Sequence, residues 1–276
     1  MTRSWLRYTT VSRLFVLFYI GVLLIVPLGL ILYRTFEPGV GAFIDSVTSP
    51  AAISALDLSL LIIAIVIPLN AVFGVLLALA LARGKWRGRA IVEAIVDLPF
   101  ALSPVVVGVS LILVWGVDGW FGFLSNWGIQ IIFAVPGMVL ATVFVTLPFV
   151  VREVEPVLLE IGTEQEEAAM TLGANALQIF RRITLPAIRW GLGYGMVLTA
   201  ARGLGEFGAV ILVSSNQPGI SQSLTLLVYG RFEQGNEYGA YAASTTLMLV
   251  AIVIILVMTL LARRVENGER ETEQAG

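Results

Sequence analysis

The sequence predicts an all-α polytopic membrane protein with six transmembrane helices and both termini on the cytoplasmic side. Three observations predict it. The chain is 276 residues long, 58% hydrophobic and only 13% charged, about half the charge of an ordinary soluble domain. Six runs reach the roughly 20 mostly apolar residues that a membrane-spanning helix needs. The basic residues then fall almost entirely on one side of those runs.

The first run covers about 12–33, "SRLFVLFYIGVLLIVPLGLILY". Arg3, Arg7 and Arg13 precede it as they would a signal peptide, but the apolar run is too long and no small-x-small cleavage site follows. It reads as a retained helix. The second and third runs cover about 55–82 and 91–115, and the fourth covers about 132–151. The fifth covers about 188–213 and the sixth about 241–262. The runs are continuous rather than alternating, which excludes a β-barrel. The tail "VENGERETEQAG" is acidic and polar, and reads as a solvated, disordered cytoplasmic segment over 263–276.

Orientation follows from threading these spans from a cytoplasmic N-terminus. The cytoplasmic side then holds Arg3, Arg7, Arg13, Arg83, Lys85, Arg87, Arg89 and Arg152. It also holds Arg181, Arg182, Arg189, Arg263, Arg264 and Arg270, which makes 14 of the 17 Lys+Arg residues. Arg34 and Arg231 fall outside, and Arg202 lies within a span. The opposite threading breaks the positive-inside rule at every loop.

Composition also excludes chemistries. With no cysteine there is no disulfide and no thiolate metal site. With no histidine the commonest general base and metal ligand are missing. A net charge of −2 without a basic block argues against nucleic acid. No G-x-x-x-x-G-K-[ST] pattern is present, so ATP hydrolysis is not expected of this chain, and it needs no cofactor of its own.

The loop between spans four and five is the best-ordered polar stretch. "EEAAMTLGANALQIFRRITLP" occupies 166–186. Thr163 and Glu166 have capping-box spacing. Glu164, Glu166 and Glu167 crowd the first turn, where the helix dipole favours acids. Ala168, Ala169, Met170 and Leu172 are good helix formers. Gly173 suits a left-handed residue just past a helix end. A second short helix starts near Asn175, and Pro186 redirects the chain into span five. Ala168, Ala169, Leu172, Leu177, Ile179 and Phe180 are more apolar than a free loop requires. They fit either an amphipathic hairpin on the bilayer or on its own bundle, or a docking site for a cytoplasmic partner.

These residues resemble a known family. Glu167-Ala168-Ala169, three residues, Gly173, nine residues, then Ile183-x-Leu185-Pro186 is similar to the EAA loop of ABC importer permeases. "LPFALSPVVVG" at 98–108, the 133–174 stretch and "RGLGEFGAVILVSS" are similar to the sulfate/thiosulfate permeases, the CysW-type subunit. The resemblance covers roughly 55–262, a permease core that follows an N-terminal segment, first span and external loop over 1–54. The molybdate/tungstate permeases share the loop and a similar Gly-Glu-Phe-Gly segment. The T-type subunit of the sulfate system is a further neighbour, and "FVVREVEP" with "EFGAV" favours the W-type.

The resemblance implies a cytoplasmic coupling helix between spans four and five that docks on a separate ATPase. Its docking residues would be Glu166, Glu167, Ala168, Ala169, Leu172, Gly173, Ile183, Leu185 and Pro186, with Glu167 facing basic groups of the ATPase. It further implies two ATPase copies carrying ATP and Mg, a second T-type permease and an extracytoplasmic sulfate-binding protein. The location would be a bacterial cytoplasmic (inner) membrane.

Arg202 and Glu206 are the other anomaly. Arg202 is about 21 Å along span five from residue 188, roughly two-thirds of a 30 Å hydrocarbon core. An ionisable group there is costly unless it faces protein or water. Four residues apart, the two can pair on one helix face. A structural ion pair, a path-lining or gate position, and direct anion ligation all remain open, with Phe207 and Ser103 as neighbours of the path. Pro99 and Pro104 break span three near Ser103, and freed backbone groups at such a break can face a water-filled path. Gly191, Gly193, Gly195, Gly203, Gly205 and Gly208 make span five thin, which suits close packing. A secondary transporter or channel would place coupling charges in several spans or repeat the fold internally. Only one intramembrane pair is present and no clear repeat.

Overall fold

The computed structural model describes residues 13, 15–84 and 86–274, with side chains to residue 260. Arg3, Arg7 and Lys85, three of the charges that set the orientation, lie outside the described residues. Every described element is helical. In chain order these are α1 (Phe15–Phe36), α2 (Val40–Val47), α3 (Pro50–Arg83), α4 (Arg89–Ala101) and α5 (Pro104–Trp115). Next come α6 (Phe123–Asn126), α7 (Val135–Ile161), α8 (Glu164–Thr171), α9 (Ala176–Ile179) and α10 (Leu185–Leu204). The last are α11 (Val210–Val213), α12 (Leu224–Glu233) and α13 (Glu237–Gln274). Four helices, α1, α3, α7 and α13, are long and apolar enough to cross a membrane, and α4 with α5 makes a fifth if the bent pair is one span.

Proline and glycine punctuate the helices. α3, α5, α7 and α10 each carry proline in the first two positions, where the missing N–H costs nothing and φ is already set. Gly162 ends α7 with φ +71, a turn that only glycine makes without strain.

α3, α7 and α10 form the trunk, with α7 the most buried. Val150 of α7 inserts between two glycines. A Cβ on Gly74 of α3 would lie 2.6 Å from Val150 Cγ1, and one on Gly195 of α10 would lie 2.9 Å from Val150 Cα. Gly191 approaches the Glu153 carbonyl in the same way. The span-five glycines are therefore packing residues, since small side chains let membrane helices approach closely. Asn70 Nδ2 donates to Thr146 Oγ1 at 2.6 Å between α3 and α7, both residues fully buried. α13 packs on α10 through Val250, Ala251, Ile254 and Met258. α1 stands outermost, with its apolar side chains exposed along its length. It is tied near its end by a 2.8 Å hydrogen bond between Thr35 and Thr245.

Three expectations are corrected. The 91–115 run is not one straight span. α4 and α5 meet at 116°, because Pro104 cannot donate an N–H and forces Ser103 into extended backbone, φ −63 and ψ 134. Span five does not run to 213 as a helix. α10 stops at Leu204, Gly205 caps it, and a turn leads into the one-turn helix α11. The acidic tail is not irregular, since α13 continues helical through it to Gln274.

The polar contacts gather at two ends. At one, Arg89 bonds Glu93 at 2.7 Å and reaches Glu155 at 3.4 Å. Arg152 there grips Asp97 with both its Nε and its Nη2. These pairs strap α4 to α7 by its polar face and leave Ile91, Ile95, Leu98 and Phe100 outward. At the other end Arg231 ties α12 to the α2–α3 turn.

Candidate functional site

The α8–α9 hairpin is built from local signals. α8 ends in two crossed bonds: Gly173 N–H donates to the Met170 carbonyl (3.0 Å) and Ala174 N–H to the Ala169 carbonyl (3.1 Å). This is the Schellman arrangement, and Gly173 takes the left-handed conformation it requires, φ +86. α9 starts at Asn175, whose side chain accepts from Gln178 N–H while Gln178 accepts from Asn175 N–H, both at 2.9 Å. The capping box is thus at the second helix. Thr163 does not cap α8 through its side chain; its hydroxyl donates to Glu167 Oε1 at 2.7 Å. The pairing expected of Glu166 is made by Glu167 instead.

The hairpin has two faces. Leu172 is 88% exposed, Leu177 65% and Met170 55%, and Glu167, Ala168 and Gly173 are exposed with them. The inner face holds Ile179, which is buried, and Phe180, which packs under the trunk cluster of Val150, Val154, Leu158 and Ile188 with Leu185. Ala169 and Ile183 are half-buried, and Pro186 is exposed at the first turn of α10. Ile179 and Phe180 therefore cover the bundle and need no partner. Only the outer group is left uncovered.

Glu166 turns inward. Its Oε1 accepts from Arg83 Nη2 at 3.2 Å and from Thr184 Oγ1 at 2.8 Å. Arg83 Nη1 donates to the Leu158 carbonyl at 2.8 Å, near the end of α7. The Arg83 and Glu166 side chains are 19% and 17% exposed. One ion pair thus joins the ends of α3 and α7, the start of α8 and the turn leading into α10.

The second candidate centre lies at the far end of α10. Arg202 Nη1 is 2.8 Å from Glu206 Oε2, an ion pair without hydrogen-bond alignment. The pair forms across the end of the helix rather than along it. Arg202 sits in the last turn of α10, where the helix carbonyls favour a cation. Its side chain is 37% exposed, whereas that of Glu206 is 1% exposed. Glu206 Oε1 accepts from Ala209 N–H at 2.9 Å, and the Glu206 carbonyl accepts from Thr225 Oγ1 at 3.0 Å. Glu206 therefore builds the Gly205–Ala209 turn.

This turn packs against the α4–α5 break. A Cβ on Gly208 would come 2.8 Å from Pro104 Cβ, and one on Gly108 would come 2.9 Å from the Ala209 carbonyl. Ser103 is exposed at that break and makes no capping bond with its hydroxyl. Phe207 points the other way, with its ring 5.1 Å from Tyr229. It lines an apolar groove of about 670 Å³ among α1, α10, α12 and α13. Of the four path candidates, Arg202 and Glu206 are brought together, while Phe207 and Ser103 flank them on separate sides.

The segment after α11 folds inward. Ser214 donates to the Ser221 carbonyl, Ser215 and Ser221 hydroxyls are 2.6 Å apart, and Gln222 Nε2 donates to Asn216 Oδ1 at 3.0 Å. Arg231 is held without a carboxylate, by Ser46, Ser49 and the Gly239 carbonyl. Burial lowers its pKa from the ordinary arginine value.

A family model described as "Binding-protein-dependent transport system inner membrane component" matches residues 70–267. The chain belongs to this family of importer permeases. A Synechocystis protein named "Sulfate transport system permease protein CysW" is 47% identical over 249 residues, 90% of each chain. The Escherichia coli protein of that name is 42% identical over 253 residues, 91% of this chain and 87% of its own. A Synechococcus elongatus protein named CysT is 36% identical over 259 residues, 94% of this chain and 93% of its own. A bacterial ABC transporter structure described as importing alginate has a chain that shares this fold, with TM-score 0.77 and 24% identity, 95% of this chain and 96% of that one being covered.

Sequence reasoning missed several residues of this permease. Arg83 had registered only as one orienting charge, yet it is the hub of the hairpin's inner bonds. Thr184 lies between the matched Ile183 and Leu185, in the variable position. Asn70 carried a signal: a lone amide inside an apolar run needs a partner, and it has Thr146.

Proposed function

We propose that this permease forms half of a path for sulfate, and with it thiosulfate, into the cytoplasm, driven by ATP hydrolysed on a separate chain. The observation that carries the coupling role is the two-faced α8–α9 hairpin, anchored inward by Glu166, Ile179 and Phe180 and uncovered outward at Leu172, Leu177 and Met170. The anion assignment rests on the relatives named CysW, 42–47% identical against 36% for a CysT relative, which also favours the W-type role beside a T-type partner.

In this reading the chain crosses the membrane six times with both ends in the cytoplasm of a bacterium, α10 making the fifth crossing. Both ATPase subunits bind ATP and Mg; this chain binds no cofactor. A loaded binding protein docks on the external turns. ATP closes the ATPase pair, and the hairpins carry that movement into the spans. Arg202 and Ser103 line the path on the external half, with Glu206 and Phe207 setting the turn between them. Glu167 and the apolar residues around Gly173 meet the ATPase.

The test is co-purification of this chain with the ATPase and the T-type permease, followed by radiolabelled sulfate uptake into proteoliposomes. Thiosulfate should compete strongly and molybdate weakly. Uptake that molybdate abolishes and sulfate does not support would overturn the anion assignment. Failure of Leu172→Asp to weaken ATPase association would overturn the coupling role.

A further inference from the structure

The two adjacent acids of the hairpin point in opposite directions. Glu167 is exposed and spends its carboxylate on the neighbouring Thr163 hydroxyl. Glu166 is nearly covered and spends one oxygen on two elements of its own bundle, Arg83 and Thr184. Arg83 is the last residue of α3, and its second nitrogen holds the Leu158 carbonyl of α7. Thr184 is 5% exposed and immediately precedes α10. All three trunk helices are therefore tied to α8 through one carboxylate. The only other tie between the hairpin and the trunk of comparable depth is the apolar seat of Ile179 and Phe180, which lies under α9.

We propose that Arg83, Glu166 and Thr184 form the clasp by which movement of the hairpin is delivered to α3, α7 and α10, and that Glu166 is a positioning residue with no contact to the ATPase. The inference rests on the coupling role proposed above. The geometry separates the two tasks. Leu172 and its exposed neighbours supply the docking face, and that face sits on a one-turn-to-two-turn helix with little burial of its own. Without a tie at its first turn, α8 would yield when pushed, and the trunk would stay still. An ion pair 17–19% exposed resists such yielding better than a surface pair, because water and salt screen it less. It also has three fixed neighbours rather than one.

The chain has no cysteine, which makes a linkage test clean. Arg83→Gln and Glu166→Gln are each produced with the partner permease and ATPase and reconstituted. Each should co-purify with the ATPase as the parent does and hydrolyse ATP, but import about five- to tenfold less sulfate per ATP. The pair acts as one unit, so the double variant should be no worse than either single one. Arg83→Cys with Glu166→Cys should show the same uncoupling, and a bifunctional thiol cross-linker about as long as the lost side chains should restore uptake per ATP.

Parent-like uptake per ATP in both single variants overturns the clasp. So does continued uncoupling after complete cross-linking. Loss of ATPase association on Glu166→Gln makes Glu166 a docking residue instead and also overturns it. Leu172→Asp serves as the separate control. If that variant retains full association, the coupling role itself fails, whatever the clasp variants do.

Discussion

Replacing Gly173 by Asn, Ala and Val separates backbone strain from steric clash at the turn of the hairpin. Gly173 has φ +86, and a Cβ placed on it meets nothing within 4 Å. Any loss on substitution therefore comes from the left-handed conformation, about 1–3 kcal/mol for a non-glycine residue. Asn lies at the low end, Ala between, and β-branched Val at the high end. The turn is held by two backbone bonds, 3.0 and 3.1 Å, worth roughly 1 kcal/mol each. Ala then brings the turn close to balance, leaving it about half populated, and Val leaves it in a clear minority. Because apparent affinity falls with the competent fraction, ATPase association should weaken about twofold for Ala and roughly five- to tenfold for Val, with Asn near the parent. Titration of detergent-solubilised permease with purified ATPase measures this. Val binding as tightly as Gly, or Asn weaker than Val, would refute the strain argument.

Gly195→Ala places a methyl 2.9 Å from the Val150 backbone, where nothing can give way; it should destabilise by about 1–3 kcal/mol, seen as a lower Tm in detergent, while Gly205→Ala, with its nearest neighbour at 3.9 Å, should not. Removing the buried Asn70–Thr146 bond by Asn70→Ala should cost about 1–3 kcal/mol because Thr146 stays buried; a Tm equal to the parent's would contradict that. Glu206→Gln keeps an acceptor for Ala209 N–H and should be milder in Tm than Glu206→Ala by roughly 1–2 kcal/mol. Arg202→Met should cut uptake while leaving co-purification with the ATPase intact; loss of assembly would make the pair purely structural.

The elements legible in the sequence were those written in local rules. A long apolar run, proline at a helix start and glycine after a helix end each act within a few residues, so α3, α7, α13 and the hairpin turn at Gly173 could be placed without tertiary knowledge. The break at Ser103 was legible in Pro104, but the 116° angle was not, because it depends on α4 being strapped to α7 by Arg89–Glu155 and Asp97–Arg152. The stop at Leu204 failed for a different reason. Residues 205–213 are apolar enough to continue a span, and what ends the helix is Glu206 donating its carboxylate to the next turn as an acceptor. The capping-box reading at Thr163 also failed, because Glu166 had a stronger long-range partner, a guanidinium 83 residues away in sequence. Spacing alone gives no sign of such a partner.

α10 connects the two polar centres of the molecule. It begins one residue after Thr184, whose hydroxyl is on Glu166, and it ends two residues before Glu206, whose carboxylate is on Arg202. Its 20 residues span about 30 Å at 1.5 Å each. Along that length it is packed almost backbone to backbone on α7 through Gly191 and Gly195. A helix seated this closely has little room to bend independently of its neighbour, so a displacement at its hairpin end is delivered to the Arg202 end as a rigid shift. The partners of Arg202 make that shift consequential. Glu206 is fixed in a turn wedged against Pro104, while Arg202 rides on the helix, so a small movement of α10 changes how much of the guanidinium remains paired. An anion met there would find donors released or withdrawn with the stroke of the hairpin, which lets a weakly held substrate leave once the path turns inward.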